Sequence, residues 1–292
     1  MARPSKYLVY IALILVAFYS IGPIYYIFLV SISWPKDVIR IPSPIFPNDP
    51  TIANYLRIFG YSAVDPMGNP LRPAGQWREL IRGMINSAII GVPVTIITTA
   101  VVVPAGYVLG RYRVKAKNAL IAILFGSRTI PPVSLLVPFY AFYVMTGLRG
   151  TYIGLILVHL TITIPLMTWI LMGYFATLPR DLEKAARIDG CSRLSTFTKV
   201  AIPLAMPAIA STAILTFLYS WNEFLFGMLL SGGGEVQPFT PFLTTFFQNI
   251  TVETSMAAAA MMTNITPALL VAATLQRYIT SIKIIDPGTV VV

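Results

Sequence analysis

Leu182-Glu183-Lys184-Ala185-Ala186-Arg187-Ile188-Asp189-Gly190 is a charged stretch with two alanines and a closing glycine, set between the apolar runs Tyr152 to Ala176 and Leu204 to Leu230. Each flanking run exceeds the roughly 20 apolar residues that a helix needs to cross a bilayer. Leu182, Ala185, Ala186 and Asp189 fall at i, i+3, i+4 and i+7, which is one face of a helix. The pattern predicts a short polar helix joining two membrane spans. Thr177 is expected to cap it, with Pro179 near its first turn, and Gly190 suits the left-handed position that ends it. Ser192 can cap a second helix on which Leu194, Phe197, Val200 and Ala201 share a face, before Pro203 opens the next span. The product is a helix–glycine–helix elbow whose alanine ridge would let a partner approach closely. By pattern alone, an amphipathic linker lying on lipid headgroups fits equally well.

Composition carries the membrane reading to the whole chain. Of 292 residues, 56% are hydrophobic and only 11% are charged, whereas a soluble domain carries about 25% charged residues. The formal charge of +10 follows from the accumulation of Lys and Arg in cytoplasmic loops. No loop interleaves basic and aromatic residues as a nucleic-acid surface does. The single cysteine, Cys191, excludes an internal disulfide and a CxxC-type metal site.

Six apolar blocks are read as spans, at about 7–33, 84–110, 119–145, 152–176, 204–230 and 256–273. The first is too long for a signal-peptide core and reads as retained. Residues 34–83 form a polar, proline-rich outer loop (Ile41-Pro42-Ser43-Pro44-Ile45-Phe46-Pro47), with a short amphipathic helix over Thr51–Phe59 capped by Thr51. Residues 177–203 form the elbow. The fold class expected is all-α, a polytopic membrane protein built as one transmembrane domain over residues 1–292.

Placing both termini in the cytoplasm collects Arg3, Lys6, Arg111, Arg113, Lys115, Lys117, Arg180, Lys184, Arg187, Arg193, Lys199, Arg277 and Lys283 on that side. The long outer loop carries Lys36, Arg40, Arg57, Arg72, Arg78 and Arg82 against the rule, but long translocated segments weigh less. Prolines inside spans (Pro93, Pro104, Pro131-Pro132, Pro165, Pro207, Pro267) free backbone groups, which is tolerated where helices pack together or line a cavity.

The order Ala185-Ala186, three residues, Gly190, nine residues, then Val200-Ala201-Ile202-Pro203 resembles the signature loop of permease subunits of binding-protein-dependent ABC importers. The resemblance implies that Leu182, Glu183, Lys184, Ala185, Ala186, Asp189 and Gly190 form a cytoplasmic coupling helix docking into an ATPase subunit. Lys184 departs from the family, which usually has Glu directly before the two alanines; Glu183 stands one residue earlier. Asn86-Ser87, Gly106-Tyr107-Val108-Leu109-Gly110-Arg111, Pro131-Pro132, Trp221-Asn222-Glu223-Phe224 and the outer loop ending near Asn54-Tyr55 extend the likeness over nearly the whole chain. The last two are most similar to the carbohydrate-uptake branch, and within it to the six-span permease of maltose-type importers. That membership implies a second permease subunit, two ATP-binding subunits that hold ATP and Mg, and an extracellular substrate-binding protein. It leaves open an importer of a non-sugar solute.

Ionisable side chains at membrane depth cost several kcal/mol unless they face a cavity or a partner. Arg128, His159 and Glu223 are the candidates, and with Trp221 as a stacking face and Asn222 as a hydrogen-bonding edge they would line a substrate path. The plainer alternative is interhelical pairing, for example Arg128 with Glu223. The alternatives of a different class are an ATPase-independent secondary transporter, which the lack of an Asp/Glu/His chain for a proton relay weakens, and a membrane interaction subunit. There is no GxxxxGK[ST] loop for ATP, and the run Ser231-Gly232-Gly233-Gly234 is a flexible outer turn. Paired carboxylates, metal-spaced His/Cys groups and nucleophilic triads are missing, so the chain is not expected to be an enzyme or to hold a cofactor.

Overall fold

The computed structural model describes residues 6–39, 46–115, 117–248 and 253–280. Arg3, Arg40 and Lys283 of the orientation reading, and most of the proline-rich stretch Ile41–Pro47, lie outside them. Thirteen α-helices, a short 3₁₀ helix and a short π-helix occupy the described residues, with a single two-stranded hairpin, β1 (Ala63–Val64) against β2 (Pro70–Leu71). Five helical stretches are long and apolar enough to cross a membrane: α1 (Lys6–Ser31), α4 (Trp77–Arg111), α7 (Tyr152–Thr177), the segment Arg193–Trp221 that ends in α10 (Ile202–Trp221), and α13 (Thr254–Thr280).

The expected third span, 119–145, is not one straight helix. It is α5 (Lys117–Thr129), a 3₁₀ turn at Pro132–Leu135 and α6 (Leu136–Met145), with a 91° bend. Pro131 and Pro132 account for the break: neither has an N–H to donate, and each pushes its preceding residue out of the helical region. Taken together the bent pair makes a sixth candidate span.

The chain divides into two compact units. In the unit of Met1–Met84 with Phe242–Pro267, the short helices α2 (Pro35–Val38) and α3 (Ala53–Ile58) follow α1. Asn54 Nδ2 donates to Ser31 O and Ser33 O at 3.0 and 2.8 Å, and the Tyr55 and Ser31 hydroxyls meet at 2.7 Å, so the carbonyls at the end of α1 are satisfied by α3. Thr51 is one residue too early to be the cap: Ile52 holds that position, and Thr51 Oγ1 accepts from Ala53 N at 3.0 Å. Arg57 is buried, donating to Arg72 O at 2.8 Å and pairing bidentately with Glu253 at 2.5 and 3.1 Å.

In the unit of Ile85–Pro241 with Ala268–Val292, α7 is the packing centre, with α5 and α10 against it. One core joins Val102, Tyr107, Leu171, Phe175 and Ala205; another joins Ile90, Val94, Val158, Ile162 and Phe226. Between α4 and α7 the backbones nearly touch. A Cβ at Gly106 would lie 2.9 Å from Leu171 Cβ, and one at Gly110 would lie 2.7 Å from Met172 O. This is a small-residue crossing at i, i+4 of the kind that packs helices in lipid, where hydrophobic exclusion supplies no drive. The buried Thr98 and Thr163 hydroxyls bond across the same helix pair at 2.9 Å. Asn86 Nδ2 donates to Glu235 O and Gln237 O at 2.7 and 2.9 Å, and its Oδ1 accepts from Tyr152 at 2.7 Å. Ser87 Oγ accepts from Phe239 N at 2.9 Å. Asn86-Ser87 thus ties the approach to α12 (Phe239–Phe247) onto α4.

Candidate functional site: an exposed elbow and a broken span

The elbow is present as α8 (Arg180–Ile188), α9 (Arg193–Thr196) and a π-helical turn at Phe197–Ala201 leading into α10. Thr177 is not its cap. It is the last residue of α7, where its hydroxyl donates back to Tyr174 O at 2.7 Å, and Pro179 takes the capping position without a side-chain acceptor. Asp181 and Glu183 in the first turn supply the negative charge that a helix start favours. At the other end Gly190 has φ +90°, with Cys191 N bonded to Ala186 O at 2.9 Å and Gly190 N to Arg187 O at 3.2 Å. These two bonds are the Schellman closure that a glycine in the left-handed region allows. Ser192 caps α9 as expected, its Oγ accepting from Ser195 N at 3.2 Å.

Leu182, Ala185 and Asp189 are exposed and Ala186 is half-buried, so the small ridge faces outward. Lys184 is exposed and donates to Asp181 Oδ1 at 2.8 Å, a hydrogen bond that holds the Asp181 carboxyl below its ordinary pKa. Glu183 points the other way. Its Oε1 accepts from Arg111 Nε at 2.8 Å and its Oε2 from the Tyr107 hydroxyl at 3.2 Å. Arg111 also donates to Leu178 O at 2.7 Å and Pro179 O at 3.3 Å, satisfying the carbonyls at the corner between α7 and α8. Arg111 and Tyr107 were legible only as parts of a span-end motif. That a cation closing one span would face a carboxylate in the elbow is a long-range pairing with no local signal.

The second candidate region lies where α10 stops. The expected continuous span 204–230 is broken: α10 ends at Trp221, and a separate helix α11 (Leu225–Leu230) follows. Glu223 explains the break. It is 9% exposed, and its two carboxylate oxygens accept from Phe226 N at 2.9 Å and Gly227 N at 2.8 Å. A buried carboxylate needs donors, and the first N–H groups of a new helix supply them together with the favourable end of its dipole. His159, 1% exposed on α7, lies with Nε2 3.5 Å from Glu223 Oε2, and its Nδ1 meets Ser220 Oγ at 2.7 Å. Ser220, which sequence reading passed over, completes the network.

The five residues expected to line a path are therefore placed differently. Glu223 and His159 are joined in one buried network. Trp221 is buried with its ring stacked on Phe217 at 5.6 Å, so its aromatic face is used within the chain. Asn222 is exposed, donating only to Leu218 O at 2.9 Å among the described bonds. Arg128, also exposed, interacts with the Tyr219 hydroxyl rather than pairing with Glu223. Among the described residues no group of His, Cys, Asp and Glu could hold a metal ion.

Residues 102–281 match the family model described as binding-protein-dependent transport system inner membrane component. The chain is similar to the trehalose/maltose transport system permease protein MalG of Thermococcus litoralis, 30% identical over 95% of this chain and 94% of that one. It is also similar to the trehalose transport system permease protein SugB of Mycobacterium tuberculosis, 32% identical over 74% of this chain and 73% of the relative. Among solved structures it resembles a chain of a bacterial ABC transporter involved in the import of the acidic polysaccharide alginate. There the TM-score is 0.68 at 21% identity, covering 95% and 98% of the two chains, a likeness of fold.

Proposed function

Because the chain belongs to the family of binding-protein-dependent transport system inner membrane components, we propose that it is the permease half of an ATP-driven importer of a sugar or oligosaccharide. Its partners are a second permease subunit, two ATP-binding subunits that hold ATP and Mg and carry out hydrolysis, and an extracellular substrate-binding protein. Both termini and the elbow face the cytoplasm. The observation that carries this reading is the elbow itself. Its small-residue ridge is turned outward, its end is fixed by Gly190, and its other face is fastened to α4 through Glu183 and Arg111.

In this reading the coupling helix of Leu182, Glu183, Lys184, Ala185, Ala186, Asp189 and Gly190 docks the chain on an ATPase subunit by its outward ridge, while Glu183 holds it from behind to Arg111. Closure of the ATPases displaces the elbow as a body. The segment Arg193–Trp221 is helical throughout its 29 residues, about 43 Å at 1.5 Å per residue, so motion at the elbow reaches the break at Asn222. Arg111 delivers the same motion to the end of α4. The bundle then alternates between outward- and inward-open states that ligands at either end bias. Trp221, Asn222, Glu223, Arg128 and His159 border the path, Asn222 and Arg128 offering polar atoms to the solute while the His159–Glu223 network holds the broken backbone.

Substituting Ala186→Trp tests the docking role. The bulk should keep the ridge from its groove, so the ATPase should be lost from purified membranes and ATP-dependent uptake of labelled maltose or trehalose should stop. Normal ATPase retention and uptake would reduce the elbow to a membrane-surface linker.

A further inference from the structure

We propose that the cleft between the last turns of α4 and the start of the segment that becomes α10 binds one anionic phospholipid of the cytoplasmic leaflet. The cleft has a volume of about 590 Å³, within the roughly 300–1,000 Å³ of small-ligand sites. Val108, Leu194 and Phe197 form its apolar wall, and Tyr112, Arg113 and Arg193 its polar end. Leu194 is 71% exposed, a large apolar side chain set out beside two guanidiniums where the spans run into their loops. Arg193 is exposed, with its guanidinium 6.0 Å from the centre of the Tyr112 ring, and Tyr112 packs edge-on against Tyr107 at 5.7 Å. Neither Arg113 nor Arg193 has a carboxylate within ion-pair distance among the described residues.

Two cations that form no ion pair among the described residues, set over a hydrocarbon wall, are complementary to a ligand that joins an anion to an acyl chain. A soluble anion would leave the apolar wall in water, and a neutral lipid would leave the guanidiniums uncompensated. Basic pockets at the cytoplasmic ends of transmembrane helices are suited to lipid headgroups for this reason. The site also has a position of consequence. Tyr112 is shared with a smaller cavity of about 140 Å³ that reaches Arg111 and Glu183, so the bound lipid would stand back to back with the anchor of α8. The proposal rests on the reading that the elbow faces the cytoplasm.

Native mass spectrometry of the complete transporter complex tests it, with phosphatidylglycerol, phosphatidylcholine or inorganic phosphate added in neutral detergent. Phosphatidylglycerol should be retained on this subunit in clear preference to phosphatidylcholine, and phosphate alone should not be retained. The pair Arg113→Ala and Arg193→Ala should weaken lipid retention by roughly thirtyfold, while Arg113→Lys with Arg193→Lys should keep most of it. In the otherwise unaltered complex a photoreactive residue in place of Leu194 should label phosphatidylglycerol. Equal retention of the two lipids, retention of phosphate alone, unchanged retention in the alanine pair, or labelling of a neighbouring protein subunit would overturn the site. Lipid mass is read independently of uptake and ATPase retention, so the site can fail while the permease reading stands, and the reverse.

Discussion

Replacing Arg111 with alanine removes three contacts at the corner where the elbow leaves the membrane. The Arg111 side chain is only 3% exposed and that of Glu183 18%, so water replaces little of what is lost. The Nε–Oε1 bond at 2.8 Å is charge-assisted and worth about 1.5–3 kcal/mol, and the Leu178 carbonyl loses a donor at 2.7 Å, about 1 kcal/mol more. The contact to Pro179 O, at 3.3 Å and exposed, adds little. Glu183 keeps the Tyr107 hydroxyl, which holds the total near the lower end of the 3–5 kcal/mol seen when one member of a buried pair is removed. We expect a loss of about 3 kcal/mol, measured by denaturant titration of the subunit in mixed micelles. A double-mutant cycle with Glu183→Ala should give a coupling energy of about 1–3 kcal/mol. In the reconstituted complex ATP hydrolysis should continue while solute moved per ATP falls, because the elbow is no longer fixed to α4. A stability change under about 0.5 kcal/mol, the worth of an ordinary surface ion pair, with uptake intact, would refute the anchoring role.

Three further outcomes follow from the same geometry. Gly190→Val puts a branched side chain at φ +90° and should strain the turn by about 1–2 kcal/mol; amide exchange at Cys191, whose N–H closes the turn, should accelerate and uptake should fall, whereas Gly190→Asn should be milder. Glu223→Ala strips the acceptor from two buried N–H groups and should cost about 2–4 kcal/mol, with Glu223→Gln losing roughly half as much; equal, negligible losses in both would show that the carboxylate does not hold the break. Asn222→Ala removes an exposed side chain with one described bond to its own helix and should lower uptake while complex assembly and thermal stability stay unchanged, checked by co-purification and melting in the same detergent.

The helices were legible because crossing a bilayer demands long apolar blocks, and the boundaries of α7 differ from the expected 152–176 by one residue. The breaks were less legible. Hydropathy reads Asn222-Glu223 as an interruption of polarity within a span, but the donors that satisfy Glu223 exist only once the backbone has broken. Pro131-Pro132 carried the information for the 91° bend without saying whether the chain would kink or turn. Gly106 and Gly110 stood at the spacing of a close helix crossing, yet their partner, the Leu171–Ala176 stretch of α7, is not marked by any local pattern. In the elbow, Gly190 and Ser192 were readable because glycine closure and serine capping are local chemistry. Thr177 misled because α7 propagates one residue beyond its apolar block and takes Thr177 as its last residue, leaving Pro179 to cap α8. Arg111, Tyr107 and Ser220 escaped because their partners are far away in sequence.

The most direct measurement is cross-linking from the alanine ridge of α8. In a Cys191→Ala background, Ala185→Cys in membranes containing the whole complex should react with a short bifunctional maleimide to join the ATPase subunit. The same position should be shielded from a bulky maleimide until the ATPase is stripped away. If the ATPase stays bound and uptake proceeds while position 185 labels freely and forms no cross-link, α8 is not the coupling surface and the mechanism built on it fails.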